Sequence, residues 1–131
     1  MASIFTKIIN GEIPCYKIAE DERFFAFLDI HPLTQGHTLV VPKQEIDYFF
    51  DLPPVVLADM MQFAQRVAVA IKHVVPCKRV GMEVVGLEVP HAHIHLIPLN
   101  SEADANFRNP KLTCTPEELA VSAAEIRSAF K

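Results

Sequence analysis

Three of the six histidines in this 131-residue chain alternate along one short stretch, and that alternation restricts what the chain can fold into. His91, His93 and His95 lie between Pro90 and Pro98, and small or branched apolar residues fill the positions between and after them. A period of two is typical of a strand with one apolar and one polar face. We therefore predict a strand that presents three imidazoles on one face, with neighbouring Cα atoms about 6.6 Å apart.

Three imidazoles on one face indicate a functional site. Apolar side chains would fill a core at lower desolvation cost, and clustered imidazoles oppose one another's protonation. Such a face can hold zinc, with Glu83 and Glu88 nearby as carboxylates that orient the rings. Alternatively, one neutral imidazole attacks an electrophile while its neighbours fix its tautomer and bind the electrophile's oxygens. The spacing alone leaves both hypotheses open.

The composition indicates one globular domain over residues 1–131, because 50% of the residues are hydrophobic and 21% are charged. The net charge is −4, and the basic residues are scattered, so we expect no nucleic-acid partner. Cys15, Cys77 and Cys114 show no paired spacing, which is typical of a reducing cytoplasm. We see no signal peptide and no apolar run long enough to span a bilayer, and we therefore expect no membrane partner.

The order of the predicted elements favours an α+β fold. The predicted strands cover residues 16–19, 24–30, 38–41, 79–85 and the histidine stretch. Short helices are predicted over residues 4–10, after Ser3 as the cap, and from the capping box at Thr115 to the C-terminus. Apolar residues at spacings of three and four predict a long amphipathic helix between the Pro53-Pro54 pair and Pro76. We expect a five-stranded antiparallel, meander-like sheet with the long helix packed on it.

His37 precedes a predicted strand and alternates with Leu39 and Val41. A histidine in that position is ordinarily a packed residue. It becomes a site residue only if the histidine stretch lies beside it.

Four motifs, taken together and in order, resemble the histidine-triad (HIT) nucleotide-binding family in its Hint-like bacterial branch. They are Ile4-Phe5-x-Lys7-Ile8-Ile9-x-Gly11-Glu12-Ile13-Pro14, Asp29-Ile30-His31-Pro32-Leu33-x-x-Gly36-His37, Val41-Pro42-Lys43 and His91-x-His93-x-His95. The resemblance covers residues 4–99.

The resemblance implies a HIT-like fold, a homodimer whose two sheets join into one, and a purine-nucleotide pocket in each subunit. By position, the nucleotide-binding residues would be Phe5, Ile8, Phe27, Asp29 and Ile30, with Asp29 accepting hydrogen bonds from the ribose hydroxyls. The family's substrates are nucleoside phosphoramidates, acyl adenylates and dinucleotide polyphosphates, and no cofactor is implied.

The resemblance also assigns the catalytic residues. His93 would attack the α-phosphorus to give a nucleotidyl-histidine intermediate that water hydrolyses. His91, His95 and His37 would support it through hydrogen bonds to the phosphate or the ring. The alternatives are a nucleotide-binding module with negligible turnover and a hydrolase with a histidine-bound metal.

Two departures from the family pattern are visible. Many bacterial members bind a structural zinc with two cysteines near the start and a histidine after the Pro-Lys turn, where this chain has Ser3, Thr6 and Glu45. We therefore expect no structural zinc. Relatives also have a longer Gly-rich loop before the triad, with Asn and Gln-Ser or Gln-Thr contacts to phosphate. Residues 84–90 lack these groups, and Glu88 adds a negative charge there.

Overall fold

The computed structural model describes residues 2–131, and its elements follow the predicted order. The helices are α1 (Ile4–Ile9), α2 (Pro54–Val74) and α3 (Pro116–Ala129). The strands are β1 (Lys17–Glu20), β2 (Phe24–Leu28), β3 (Thr38–Pro42), β4 (Arg79–Glu83) and β5 (Ile94–Leu99). Short 3-10 helices cover Phe49–Asp51 and Glu102–Ala105.

The five strands form one antiparallel sheet in the order β1-β2-β3-β5-β4, which confirms the predicted α+β class. The first three strands form a meander. Helix α2 then carries the chain across the sheet, so that β4 lies at the far edge and β5 returns between β3 and β4. This return places the histidine stretch beside β3.

The main core lies on the face of the sheet that α2 and α3 cover. Helix α2 buries one stripe of side chains against it: Met60, Phe63, Ala64, Val67, Ala70 and Ile71. By length and hydropathy alone α2 could cross a bilayer, and 33% of its apolar window is buried in the domain. Its buried stripe is that of a helix packed on a sheet, and its opposite side exposes apolar residues such as Met61 and Val69.

The opposite face of the sheet carries a smaller apolar cluster under α1. It consists of Phe5, Phe25, Phe27, Leu39 and Val41. These residues alternate along β2 and β3 with residues of the main core, as the period of a strand requires. The side chain of His95, the register partner of Leu39, lies on this second face.

The predicted strand over the histidine stretch is wrong at its start, because β5 begins at Ile94. The His91 N–H donates to the carbonyl of Val89 over 2.8 Å, and the Ala92 N–H donates to Ile46 over 2.7 Å. These bonds replace the ladder bonds of a strand. The tight turn after Pro90 therefore takes His91 and His93 out of the sheet. Strand β4 likewise ends at Glu83, two residues earlier than predicted.

Candidate active site

Antiparallel pairing of β3 and β5 brings His37 and His95 together. His95 is the register partner of Leu39, so its side chain shares the second face of the sheet with His37. The Nε2 atom of His37 lies 3.0 Å from Nδ1 of His95. The histidine stretch therefore lies beside His37, which makes His37 a candidate site residue.

The loop before β3 fixes the orientation of the His37 ring. The Leu33 N–H donates to Nδ1 of His37 over 3.0 Å. Gly36 has a φ of +93°, and a Cβ there would lie 2.9 Å from a methyl group of Val75, so glycine allows the loop to pack this closely.

These contacts assign the tautomers of both rings. Because Nδ1 of His37 accepts from Leu33, its proton is on Nε2, and this N–H donates to Nδ1 of His95. A neutral His95 must then carry its own proton on Nε2. His95 is thereby set as a hydrogen-bond donor toward the site.

Asp29 lies next to this pair without bonding to it. Its Oδ1 accepts the N–H of His31 over 2.8 Å, and its Oδ2 lies 3.7 Å from Nε2 of His37, which is too far for a hydrogen bond. The Asp29 carboxylate is partly exposed and retains accepting capacity.

His93 has the opposite tautomer to His95. Its Nδ1 lies 2.7 Å from the carbonyl oxygen of His91. A carbonyl only accepts, so Nδ1 carries the proton and Nε2 has a free lone pair. The rings of His93 and His95 are 4.9 Å apart and meet edge to face. Two neighbouring rings therefore present one unprotonated nitrogen and one N–H donor.

His91 is turned away from this pair. Its Nε2–H donates to the carbonyl of Pro42 over 2.8 Å, and the hydroxyl of Ser3 donates to its Nδ1 over 2.7 Å. The ring is 0% exposed, against 6% for His93 and 8% for His95. Both of its nitrogens bond to the protein, so its link to the site is its backbone carbonyl.

Burial keeps the rings neutral. Desolvation lowers the pKa of His93, partly offset by the bond to the His91 carbonyl. It also lowers the pKa of His95 to about 3, with further contributions from the His93 and His37 rings. The pKa of His37 is lowered by burial, against the attraction of Asp29. Neutral rings are what the assigned tautomers require.

Asp29, His37 and His95 bring three ligand-type atoms within 4.8 Å of one another. A metal there would need lone pairs on Nε2 of His37 and Nδ1 of His95. Nδ1 of His37 already accepts from Leu33, so metal binding through Nε2 would require an imidazolate. The two histidines of this set are therefore committed to hydrogen bonds, and the set does not fit a metal.

The apolar residues predicted to bind nucleotide lie along the same face. Phe5 and Phe27 are buried and meet edge to face at 5.6 Å, and Phe5 also contacts the His93 ring at 5.0 Å. Ile8 is partly buried, and Ile30 is 53% exposed. Two phenyl rings thus form an apolar surface, and Ile8 packs against it.

The HIT domain family model matches residues 10–102, a range that includes His37, Asp29 and the whole histidine stretch. The chain belongs to the HIT family. Adenosine 5'-monophosphoramidase hnt1 of Schizosaccharomyces pombe is 35% identical over 134 residues and is covered completely, as is this chain. Adenosine 5'-monophosphoramidase HNT1 of Saccharomyces cerevisiae is 40% identical over 102 residues, which make up 77% of this chain and 65% of the yeast protein.

A solved HIT structure has the same architecture. It is a Hit-like protein involved in cell-cycle regulation from Bartonella henselae, crystallised with an unknown ligand. The two chains superpose with a TM-score of 0.84 at 29% identity, over 98% of this chain and 96% of the other.

Phe107 is a residue of this HIT protein that sequence reasoning missed. Its ring meets the His95 ring at 4.8 Å and the His37 ring at 6.3 Å. It belongs to the irregular segment before α3, which has no periodicity that could reveal an inward side chain. Phe107 forms an apolar wall that helps to desolvate His95.

A cleft of about 270 Å³ opens beside His93 in the HIT domain. It is lined by Asp47, Tyr48, Phe49, Phe50, Val84, Val85, Gly86, Ala92 and His93. Glu88, in the shortened loop before the triad, is exposed. His93 therefore borders a cleft on the side of residues 84–86.

Proposed function

We propose that this HIT protein is a nucleoside phosphoramidate hydrolase that acts at the α-phosphate of purine nucleotides. The observation that carries the proposal is the complementary pair formed by His93 and His95. One presents an unprotonated Nε2, and the other presents an Nε2–H, on adjacent rings 4.9 Å apart. Both yeast relatives are adenosine 5'-monophosphoramidases, which supports the same reaction class.

The first step is attack by Nε2 of His93 on the α-phosphorus. A bond forms between Nε2 and phosphorus while the bond from phosphorus to the leaving nitrogen breaks, and that nitrogen takes a proton from solvent water as the amine departs. The His95 N–H binds a non-bridging oxygen and stabilises the charge that develops there. The His91 carbonyl stabilises the positive charge that His93 acquires, because it accepts the Nδ1–H.

The second step returns the enzyme to its starting state. Water attacks the phosphorus of the nucleotidyl-histidine and releases a proton to solvent, the phosphorus–Nε2 bond breaks, and a nucleoside monophosphate leaves. A covalent intermediate divides one difficult displacement into two easier ones. Acyl adenylates and dinucleotide polyphosphates would react in the same way with a different leaving group.

The nucleotide would lie along the second face of the sheet. Phe5 and Phe27 would provide the floor for the purine, with Ile8 and Ile30 at its edges. The free accepting capacity of Asp29 suits the two ribose hydroxyls. A few fixed polar groups beside an apolar surface are typical of small-ligand sites.

The test is hydrolysis of adenosine 5'-phosphoramidate by wild type, His93→Ala and His73→Ala. His73 is an exposed histidine on α2 and provides the matched control. We expect His93→Ala to lose at least about 10³-fold in kcat while AMP still binds, because it removes the nucleophile and little of the pocket. His73→Ala should behave as wild type.

The same experiment tests the alternatives. AMP binding by wild type without turnover would support a nucleotide-binding module, an outcome that the missing phosphate contacts in residues 84–90 would explain. Loss of activity on treatment with a chelator would support a metal-dependent hydrolase, against the donor arrangement at Asp29, His37 and His95.

The surface of α2 and β4 suits a second copy of the chain. An apolar groove of about 330 Å³ runs between them and includes Met61 and Met82, which are 44% and 46% exposed. Strand β4 is at the edge of the sheet, and such an edge readily pairs with another strand. We propose a twofold homodimer joined through β4. We also propose that the protein is cytoplasmic. Met82→Lys should convert it to a monomer in light scattering, and an unchanged mass would contradict this assembly.

A further inference from the structure

We propose that a hydrogen-bonded cluster of Ser3, Thr6, Glu45 and His91, outside the reacting groups, positions the His93 ring. Ser3 is in this view a positioning residue for the reaction. The inference rests on the proposed function for its effect on rate. Its effect on the His93 ring can be measured without turnover.

Ser3 connects α1 to His91. Its Oγ accepts the N–H of Thr6 over 3.1 Å and so caps the helix, and its hydroxyl proton is donated to Nδ1 of His91 over 2.7 Å. The serine is only 7% exposed, and few water molecules compete for these bonds. One hydroxyl therefore performs two tasks, of which only the second concerns the site.

Glu45 anchors the same cluster from the segment after β3. Its Oε1 accepts the N–H of Ser3 over 2.7 Å and the hydroxyl of Thr6 over 2.6 Å. These two donors lower the pKa of Glu45 to about 2, so the carboxylate stays charged near neutral pH. The neighbouring Ile46 carbonyl accepts the N–H of Ala92 over 2.7 Å. Residues 45 and 46 thus hold both α1 and the histidine stretch.

The cluster acts on His93 through the backbone carbonyl oxygen of His91. The His91 ring is held on both sides, by Ser3 and by the carbonyl of Pro42, and this fixes the residue whose own carbonyl accepts from Nδ1 of His93. His91 and His93 lie outside β5, so the sheet ladder does not hold them. Side-chain hydrogen bonds supply the restraint that strand pairing would otherwise give.

If Ser3 served only as the cap of α1, replacing it with glycine would leave the tautomer of His93 and the rate nearly unchanged. Glycine is a fair N-cap that costs only a few tenths of a kcal/mol, but it has no hydroxyl to donate to His91. Threonine retains both functions. Thr115 provides the matched control, because it caps α3 in the same way through a bond from the Glu118 N–H.

The experiment combines ¹⁵N NMR of the histidine rings with kcat and KM for adenosine 5'-phosphoramidate, in wild type, Ser3→Gly, Ser3→Thr and Thr115→Gly. In wild type we expect His93 protonated on Nδ1 and His91 on Nε2. In Ser3→Gly we expect mixed tautomers at both rings and about a tenfold loss of kcat, the order of magnitude that the loss of one hydrogen bond gives. KM should change by less than about twofold, because no substrate contact is removed.

Ser3→Thr and Thr115→Gly should both match wild type. The proposal is overturned if Ser3→Gly retains the wild-type tautomers and rate, or if Thr115→Gly loses as much. If wild type itself does not turn over the phosphoramidate, the proposed function fails. The tautomers of Ser3→Gly then still decide whether Ser3 positions the His93 ring.

Discussion

The Nε2 atom of His37 donates a hydrogen bond to Nδ1 of His95 over 3.0 Å, inside a part of the protein where both rings are more than nine-tenths buried. This bond decides which nitrogen of His95 faces the site. It also requires both rings to remain neutral, which gives the protein a pH dependence that can be measured.

Stability should fall in acid because of these buried rings. Burial lowers the pKa of His95 from its ordinary 6.5 to about 3, so below pH 6.5 the unfolded chain takes up a proton that the folded chain does not. The contribution of the neutral His95 ring to the free energy of unfolding is therefore complete above pH 6.5. It is lost at up to about 1.4 kcal/mol per pH unit as the pH falls toward the folded value.

Urea unfolding of wild type and His95→Asn between about pH 7 and about pH 4 measures this effect. The free energy of unfolding should fall less steeply in the variant, which has no titrating ring at this position. His73→Asn, at an exposed site, should retain the wild-type slope. Equal slopes in wild type and His95→Asn would show that His95 is not held neutral by the fold.

Activity should persist to lower pH than a free imidazole allows. His93 must be unprotonated to attack, and burial lowers its pKa below the ordinary 6.5. The acid limb of the profile of kcat/KM against pH, which reports the free enzyme, should therefore have its midpoint below 6.5. A midpoint at or above 6.5 would contradict the assignment of His93 as a buried, neutral nucleophile.

Asp29→Asn should weaken the use of ribonucleotides selectively. Asparagine can still accept the N–H of His31, so the loop is preserved, but it binds hydroxyl groups less strongly than a carboxylate does. We expect kcat/KM for adenosine 5'-phosphoramidate to fall about tenfold, and that for its 2',3'-dideoxy analogue by less than about twofold. An equal loss with both substrates would show that Asp29 acts through the loop or His37 and does not bind the ribose.

Metal analysis of protein purified without added metal should find far less than one equivalent of zinc per chain. Ser3 and Thr6 offer hydroxyls where thiolates would bind zinc, and Glu45 already accepts two hydrogen bonds. Both nitrogens of His91 are likewise bonded to protein groups. One equivalent of zinc that survives dialysis would contradict this expectation.

The parts of the fold that local chemistry determines could be predicted from the sequence. Ser3 and Thr115 cap their helices as expected, and the stripe on α2 is buried where its spacing indicated. The extent of the histidine strand could not be predicted in this way. A period of two describes residues 91–96, but the turn after Pro90 and the bonds from Ala92 and His91 to distant carbonyls remove the first half from the sheet.

The sequence predicts the candidate site as a set of residues but not as an arrangement. The sequence indicates four histidines, and the β3–β5 register shows which of them touch. The opposite tautomers of His93 and His95 depend on single hydrogen bonds from Leu33 to His37 and from His93 to the His91 carbonyl, which no residue pattern encodes. The contact of Phe107 with His95 could not be predicted either, because the segment that contains Phe107 has no regular spacing.

The most direct test of the central claim is to trap the enzyme during turnover and locate the nucleotidyl group. Wild type would be mixed with adenosine 5'-phosphoramidate, quenched in base, where a phosphorus–imidazole bond survives, and analysed by peptide mass spectrometry. We predict an adenylyl group on the peptide that contains His93, attached to that ring and absent in His93→Ala. Turnover by wild type with the adenylyl group on another residue, or with activity undiminished in His93→Ala, would contradict the account.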